Sequence, residues 1–296
     1  VTRRDGVDLL LLAALWGASF LFMRVAVPSF GPVPLTALRC AIGAAVLLPL
    51  LLWRPGGWSA LQQHAGPLVV VGLLNSALPF VLFGIALLTL TAGFSSLLNA
   101  TAPLWGALVA YAWLGEVPSR RQRLGLTVGF VGVLVLVQGR GAIAIGADWA
   151  AIAAALVATL AYGIAAGYTR RRLTGVEPLA IATGSQLAAT AALAIPAALA
   201  WPAEPPDAAA WAAAAALGAA CTGLAYLLYF RLIERAGPAR AMTVTFLVPL
   251  FGVGWGVLLL GEAVTATMLA GGLVILLGTA LAVGGVRPPA APRATP

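Results

Sequence analysis

The chain has no lysine, a single histidine (His64) and two cysteines. Each scarcity closes off a class of function. An ATP-driven pump needs a phosphate-binding loop with its lysine, which this chain cannot build. Cys40 and Cys221 both lie inside apolar runs, and no histidine or acid stands near them at ligand spacing. No disulfide framework, metal site or cofactor is therefore expected. Neither a His-Glu-x-x-His nor a Gly-x-Ser-x-Gly occurs, so the reading is of a non-enzyme. Charge is scarce too: 9% of the residues are charged, against about a quarter in a soluble domain.

Apolar sequence takes its place, with 61% hydrophobic residues over 296 positions. It comes as repeated runs of about 20 residues, enough to cross a bilayer as helices with every backbone group paired internally. The alternating ten-residue segments of a barrel are absent. The expected class is all-α, a polytopic membrane protein with ten transmembrane helices. Spans are expected near Leu9–Val27, Pro34–Trp53, Gly66–Leu88, Gly93–Leu114 and Arg123–Gln138. The second set runs near Trp149–Thr169, Pro178–Trp201, Ala208–Ile233, Arg240–Leu260 and Thr267–Gly285. The first run comes after a basic start and superficially resembles a leader, but it has a counterpart later in the chain and is read as a true span. Residues 287–296, rich in Pro and Ala, read as a disordered tail.

The arginines orient these spans. Arg3, Arg4, Arg54, Arg120, Arg121, Arg123, Arg170, Arg171, Arg172, Arg231, Arg235, Arg240, Arg287 and Arg293 fall on one side, and only Arg24 and Arg140 on the other. Arginine accumulates in cytoplasmic loops, so both termini are expected in the cytoplasm. The net charge of +8 is then explained by the lipid bilayer as partner, with no nucleic acid needed.

Shifted by 146 residues, the chain matches itself without a gap. Trp16-Gly17 falls on Tyr162-Gly163, Arg24 on Arg170, Phe80 on Tyr226, Pro103-Leu104 on Pro249-Leu250, and Leu114-Gly115-Glu116 on Leu260-Gly261-Glu262. Two halves are expected, 1–140 and 141–286. With five spans each, the second half starts on the opposite face, so the repeats are inverted. Inverted repeats recur in secondary transporters, with the substrate site at the repeat interface near mid-membrane. Gly125-x-x-x-Gly129 and Gly252-x-x-x-Gly256 read as packing motifs, within a monomer or at the face of a weak homodimer.

Several residues are candidates for that site. Pro103 and Pro249 stand in spans and cannot bond the carbonyls of Asn99 and Thr245, so both kinks could face a cavity or be repaired by neighbouring helices. Trp16, Ser19, Phe20, Asn75, Ser76, Phe80, Ser95, Tyr162, Ser185, Gln186, Thr222 and Tyr226 lie at similar depth. There the aromatic faces would bury an apolar group while Asn, Ser and Thr orient a polar one. Arg39 lies about two turns into the second span, where a charge could pair with a substrate carboxylate, lock a gate, or snorkel to the interface. Glu116 and Glu262 end helices and are expected to gate or cap. No acid sits deep in a span, which disfavours coupling through a buried carboxylate.

Trp16-Gly17-x-x-Phe20, Arg39, and the paired Pro-x(11)-Gly-Glu segments (Pro103 to Glu116, Pro249 to Glu262) resemble the EamA-type permeases of the drug/metabolite transporter superfamily. The resemblance covers essentially the whole chain, although Tyr162 stands where the first half has Trp16. It implies that spans 1–4 and 6–9 surround a central cavity, with spans 5 and 10 outside it. It also implies a bacterial plasma membrane location and a small-molecule substrate, an amino acid as in YddG-like exporters. Drugs, nucleobases or sugars as substrates, and a passive channel, stay open as alternatives.

Overall fold

The computed structural model describes residues 3–138 and 147–283. Arg140, the boundary between the halves at 140/141 and the tail from residue 287 lie outside them. Among the described residues, eight helices are long and apolar enough to cross a membrane. They are α1 (Arg3–Phe30), α2 (Pro32–Leu52), α3 (Ala65–Ala86), α4 (Ala92–Leu114), α6 (Ala147–Arg172), α7 (Pro178–Leu199), α8 (Ala208–Ala236) and α10 (Ala266–Val283). Two more complete the ten: α5 (Arg120–Gln138), whose first turn carries Arg120, Arg121 and Arg123, and the shorter α9 (Val244–Leu260). Short helices Gly57–Gln63 and Pro238–Ala241 precede α3 and α9. The chain is a polytopic membrane protein.

Glycine decides how the helices cross. Without a hydrophobic drive between helices in lipid, close backbone approach and dispersion hold a bundle together. A Cβ on Gly17 of α1 would lie 2.6 Å from the Cβ of Phe251 and 2.8 Å from the Gly252 nitrogen of α9. A Cβ on Gly163 of α6 would lie 2.9 Å from the Gly106 nitrogen of α4. These are one crossing seen twice, since Gly17 and Gly163, like Gly106 and Gly252, are 146 residues apart. Helices α5 and α10 pack on each other so closely that a Cβ on Gly278 would overlap the Gly129 nitrogen. Gly125, Gly129, Gly252 and Gly256 all meet neighbours inside the bundle. Large side chains face outward instead: Leu134, Leu258, Leu273 and Leu277 are exposed, the arrangement lipid favours.

The fourth span corrects an expectation. Pro103 is not a mid-helix kink. The helix from Ala92 stops at Asn99, turns through Ala100 and Thr101, and restarts at Ala102 with Pro103 in its first turn. A proline is tolerated there because its missing N–H would be unpaired anyway. Two carbonyls at the break are taken by hydroxyls. Thr101 Oγ1 donates to Leu98 O at 2.7 Å, and Thr279 Oγ1 of α10 donates to Ala100 O at 3.1 Å. A neighbouring helix thus takes part in closing the interruption. Pro249, its counterpart, stays inside the continuous α9. The chain breaks earlier there, at Met242–Thr243, so the ninth span is shorter than the expected Arg240–Leu260.

Candidate functional site

Two π-helical turns organise the middle of the bundle. Leu73–Ala77 in α3 and Ala219–Leu224 in α8 start 146 residues apart. A π turn widens the helix by one residue, re-aims the side chains beyond it, and occurs often at functional sites. Thr222 Oγ1 takes up the irregular backbone by donating to Leu217 O, five residues back, at 2.9 Å. The turns present equivalent hydroxyls, Ser76 and Thr222, 0% and 1% exposed. Each meets a different side chain. Gln186 Nε2 of α7 donates to Ser76 Oγ at 2.8 Å, and Arg39 Nε of α2 donates to Thr222 Oγ1 at 3.0 Å. Asn75 Nδ2 donates to the Tyr226 hydroxyl at 3.3 Å, joining α3 to α8.

Arg39 does not snorkel. It is 6% exposed, and its guanidinium carbon lies 3.7 Å from the centre of the Phe80 ring, a desolvated cation–π contact. Its remaining contacts, Nη1 to Met23 Sδ and Nη2 to Ser19 Oγ, are both 3.5 Å long, the outer edge of hydrogen-bond reach. Every partner of Arg39 among the described residues is neutral. Aromatic rings surround this group: Phe20 meets Phe83 edge-on at 5.4 Å, Phe83 stacks with Tyr162 at 6.4 Å, and Tyr226 stacks with Phe230 at 5.8 Å. Trp16 packs on Tyr229 at 5.3 Å.

The structure therefore brings Arg39, Ser19, Phe20, Asn75, Phe80, Tyr162, Thr222 and Tyr226 into one layer, with Trp16 at its margin beside Tyr229. Thr245 has another job: its hydroxyl donates to Met242 O at 2.8 Å in the turn before α9. Asn99 is half-buried at the break in α4. Ser95 is fully buried, and its Oγ has no hydrogen-bond partner among the described residues. Met23 and Cys40 also join the layer; a lone sulfur residue in an apolar run carries no sequence signal.

The two glutamates part company. Gly115 and Gly261 both end their helices in the left-handed region, φ +70° and +64°, which turns the following glutamate back over the helix end. Glu262 then caps α4, accepting from Ala92 N at 2.7 Å and Gly93 N at 3.0 Å. Gly256 makes room for it, since a Cβ there would overlap Glu262 Oε2. The counterpart of Gly256 is Ala110 and that of Ala92 is Pro238, which has no N–H to give. Glu116 instead pairs with Arg170 in an exposed bridge of 2.5 Å. Arg24, the counterpart of Arg170, donates to the carbonyls of Leu87 and Leu88 at the end of α3.

Apolar helices long enough to cross a membrane, closing on a buried polar layer beneath a leucine exterior, define a multi-pass membrane protein with a polar centre. The chain belongs to the EamA-like transporter family, whose model matches residues 6–138 and 149–284. It is a small-molecule transporter. It is 22% identical over 280 residues to the uncharacterized transporter YoaV of Bacillus subtilis (strain 168), covering 92% of this chain and 94% of the relative. Shorter matches reach an S-adenosylmethionine/S-adenosylhomocysteine transporter of Chlamydia muridarum, 28% identical over 42% of this chain and 39% of that one. A probable terminal-alkyne amino-acid exporter of Streptantibioticus cattleyicolor is 35% identical over 32% of each chain. A crystal structure at 23% identity superposes with a TM-score of 0.66, covering 95% of this chain and 98% of that one, which shows the fold.

Proposed function

We propose that this chain exports amino acids with apolar or aromatic side chains from the bacterial cytoplasm by alternating access, with both termini inside. The two halves run antiparallel through the lipid, so one layer between them opens to either face in turn. The observation that carries this reading is the layer itself. Repeat-equivalent hydroxyls, Ser76 and Thr222, stand among Phe20, Phe80, Phe83 and Tyr162, with one buried cation, Arg39. Aromatic rings take an apolar side chain while the polar groups orient its head. The cargoes of two relatives support the same class, because an amino acid and S-adenosylmethionine share an α-amino carboxylate. The crowding of arginine in alternate loops supports the orientation.

Counterflow in proteoliposomes with a panel of labelled amino acids and S-adenosylmethionine tests the reading. Saturable, stereoselective exchange of an amino acid is expected. Flux that rises linearly with concentration, or a panel that moves none of them, would overturn it. Topology is tested separately by impermeant labelling of cysteines placed beside Arg120 and Glu262. Labelling of both from one side of the membrane would end the antiparallel arrangement.

A further inference from the structure

The layer has two like sockets filled by unlike groups. Ser76 and Thr222 are 146 residues apart and buried to the same degree. The socket at Thr222 receives a guanidinium, and the socket at Ser76 receives a carboxamide. Both visitors carry unused capacity. Arg39 has five N–H donors, spent on one 3.0 Å bond, two contacts at 3.5 Å and the face of Phe80. A buried ion without a counter-ion is strongly destabilising, and is retained where something else supplies the opposite charge. Gln186 is 0% exposed, and its Oε1 accepts from nothing among the described residues.

The two groups meet neighbouring positions of α3. Gln186 reaches Ser76, and Arg39 covers Phe80, one turn further along α3. One helical turn is ~6 Å. A missing anion and a missing donor thus lie against α3 residues one turn apart, with Phe20, Phe83 and Tyr162 nearby.

Resting on the amino-acid reading above, we infer that Arg39 binds the substrate's carboxylate and Gln186 Oε1 accepts from its ammonium group. Planar guanidinium matches carboxylate in a two-pronged bond, and the amide dipole orients the cationic end. The arrangement makes the layer chemically different from one half to the other although the backbone repeats. It selects zwitterions, turned one way, over amines and amides of the same side chain.

The test uses the full chain in proteoliposomes with three probes: L-phenylalanine, L-phenylalaninamide and phenethylamine. Wild type is expected to exchange phenylalanine at least about tenfold better than either analogue, the worth of a charge-assisted bond. Arg39→Gln is expected to bring that ratio close to one. Gln186→Leu should weaken all three probes alike and leave their ratio unchanged, since each carries the amino group. If Arg39→Gln fails to insert, Arg39→Lys carries the same test, because a point charge without the fork should lower the ratio by weakening phenylalanine exchange in particular. A ratio unchanged in either Arg39 variant overturns the inference and leaves amino-acid transport standing. Robust wild-type exchange of all three probes at equal rates overturns it likewise. Failure of wild type to move any amino acid sinks the functional reading instead.

Discussion

The two ends of this bundle are held by different physics. At the arginine-rich end the charged contacts are ion pairs, Arg54 with Glu177 at 3.7 Å, Arg235 with Asp8 at 3.6 Å, and Glu116 with Arg170, over a buried cluster that includes Leu51, Leu61, Leu173 and Leu179. Beside the last is an open cavity of about 390 Å³ lined by Trp113, Leu114, Glu116, Arg170 and Arg171. The opposite end is closed by aromatic packing and a helix cap. Phe30 lies edge-on against Trp211 at 4.9 Å and Trp201 at 6.0 Å, and Glu262 holds the start of α4. Arg54–Glu177 and Glu116–Arg170 are exposed pairs, which contribute ~0–1 kcal/mol each and weaken with salt. Buried aromatics and charge-assisted bonds to backbone N–H contribute more.

The largest effect is expected at Phe30, which is 1% exposed. Phe30→Ala should destabilise the protein by about 3–5 kcal/mol, measured by unfolding in a detergent titration, and should raise labelling of cysteines placed at that end. Glu262→Gln comes next, at about 2 kcal/mol, because a carboxylate accepting two backbone N–H groups is replaced by one neutral acceptor. Gly256→Ala should lose a similar amount by displacing that carboxylate. The double variant should then fall well short of the sum, since both changes remove one interaction. Additive losses would mean the cap and the glycine act separately. Glu116→Gln should cost less than about 1 kcal/mol, and the difference should vanish in high salt. A loss at Glu116 equal to that at Glu262 would erase the contrast between the ends.

Two halves with matching motifs did not produce matching contacts, and particular residues show why. Leu-Gly-Glu occurs twice and bends the chain alike both times. Only Glu262 finds Gly256 beneath it and two N–H groups ahead. Ala110 and Pro238 remove those features from the other copy. Pro103 and Pro249 correspond equally well, yet one opens a new helix and the other sits within a helix. Helix ends depend on which neighbour supplies a donor, here Thr279 for Ala100, and such partners are distant in the chain. Arg39 could be read as a candidate, but not as facing inward. Its depth alone allows its long stem to reach either water or Thr222.

What the sequence determined by itself was the solvent, the helical class and the repeated motifs. Runs of about 20 apolar residues have one stable form in hydrocarbon, and a fixed offset of glycine, proline and glutamate survives any folding. Only the tertiary structure decided which polar groups meet. Hydrogen bonds and cation–π contacts require approach within a few ångströms. Residues as far apart as Arg39 and Thr222 reach that distance only after glycine crossings and π turns have placed their helices.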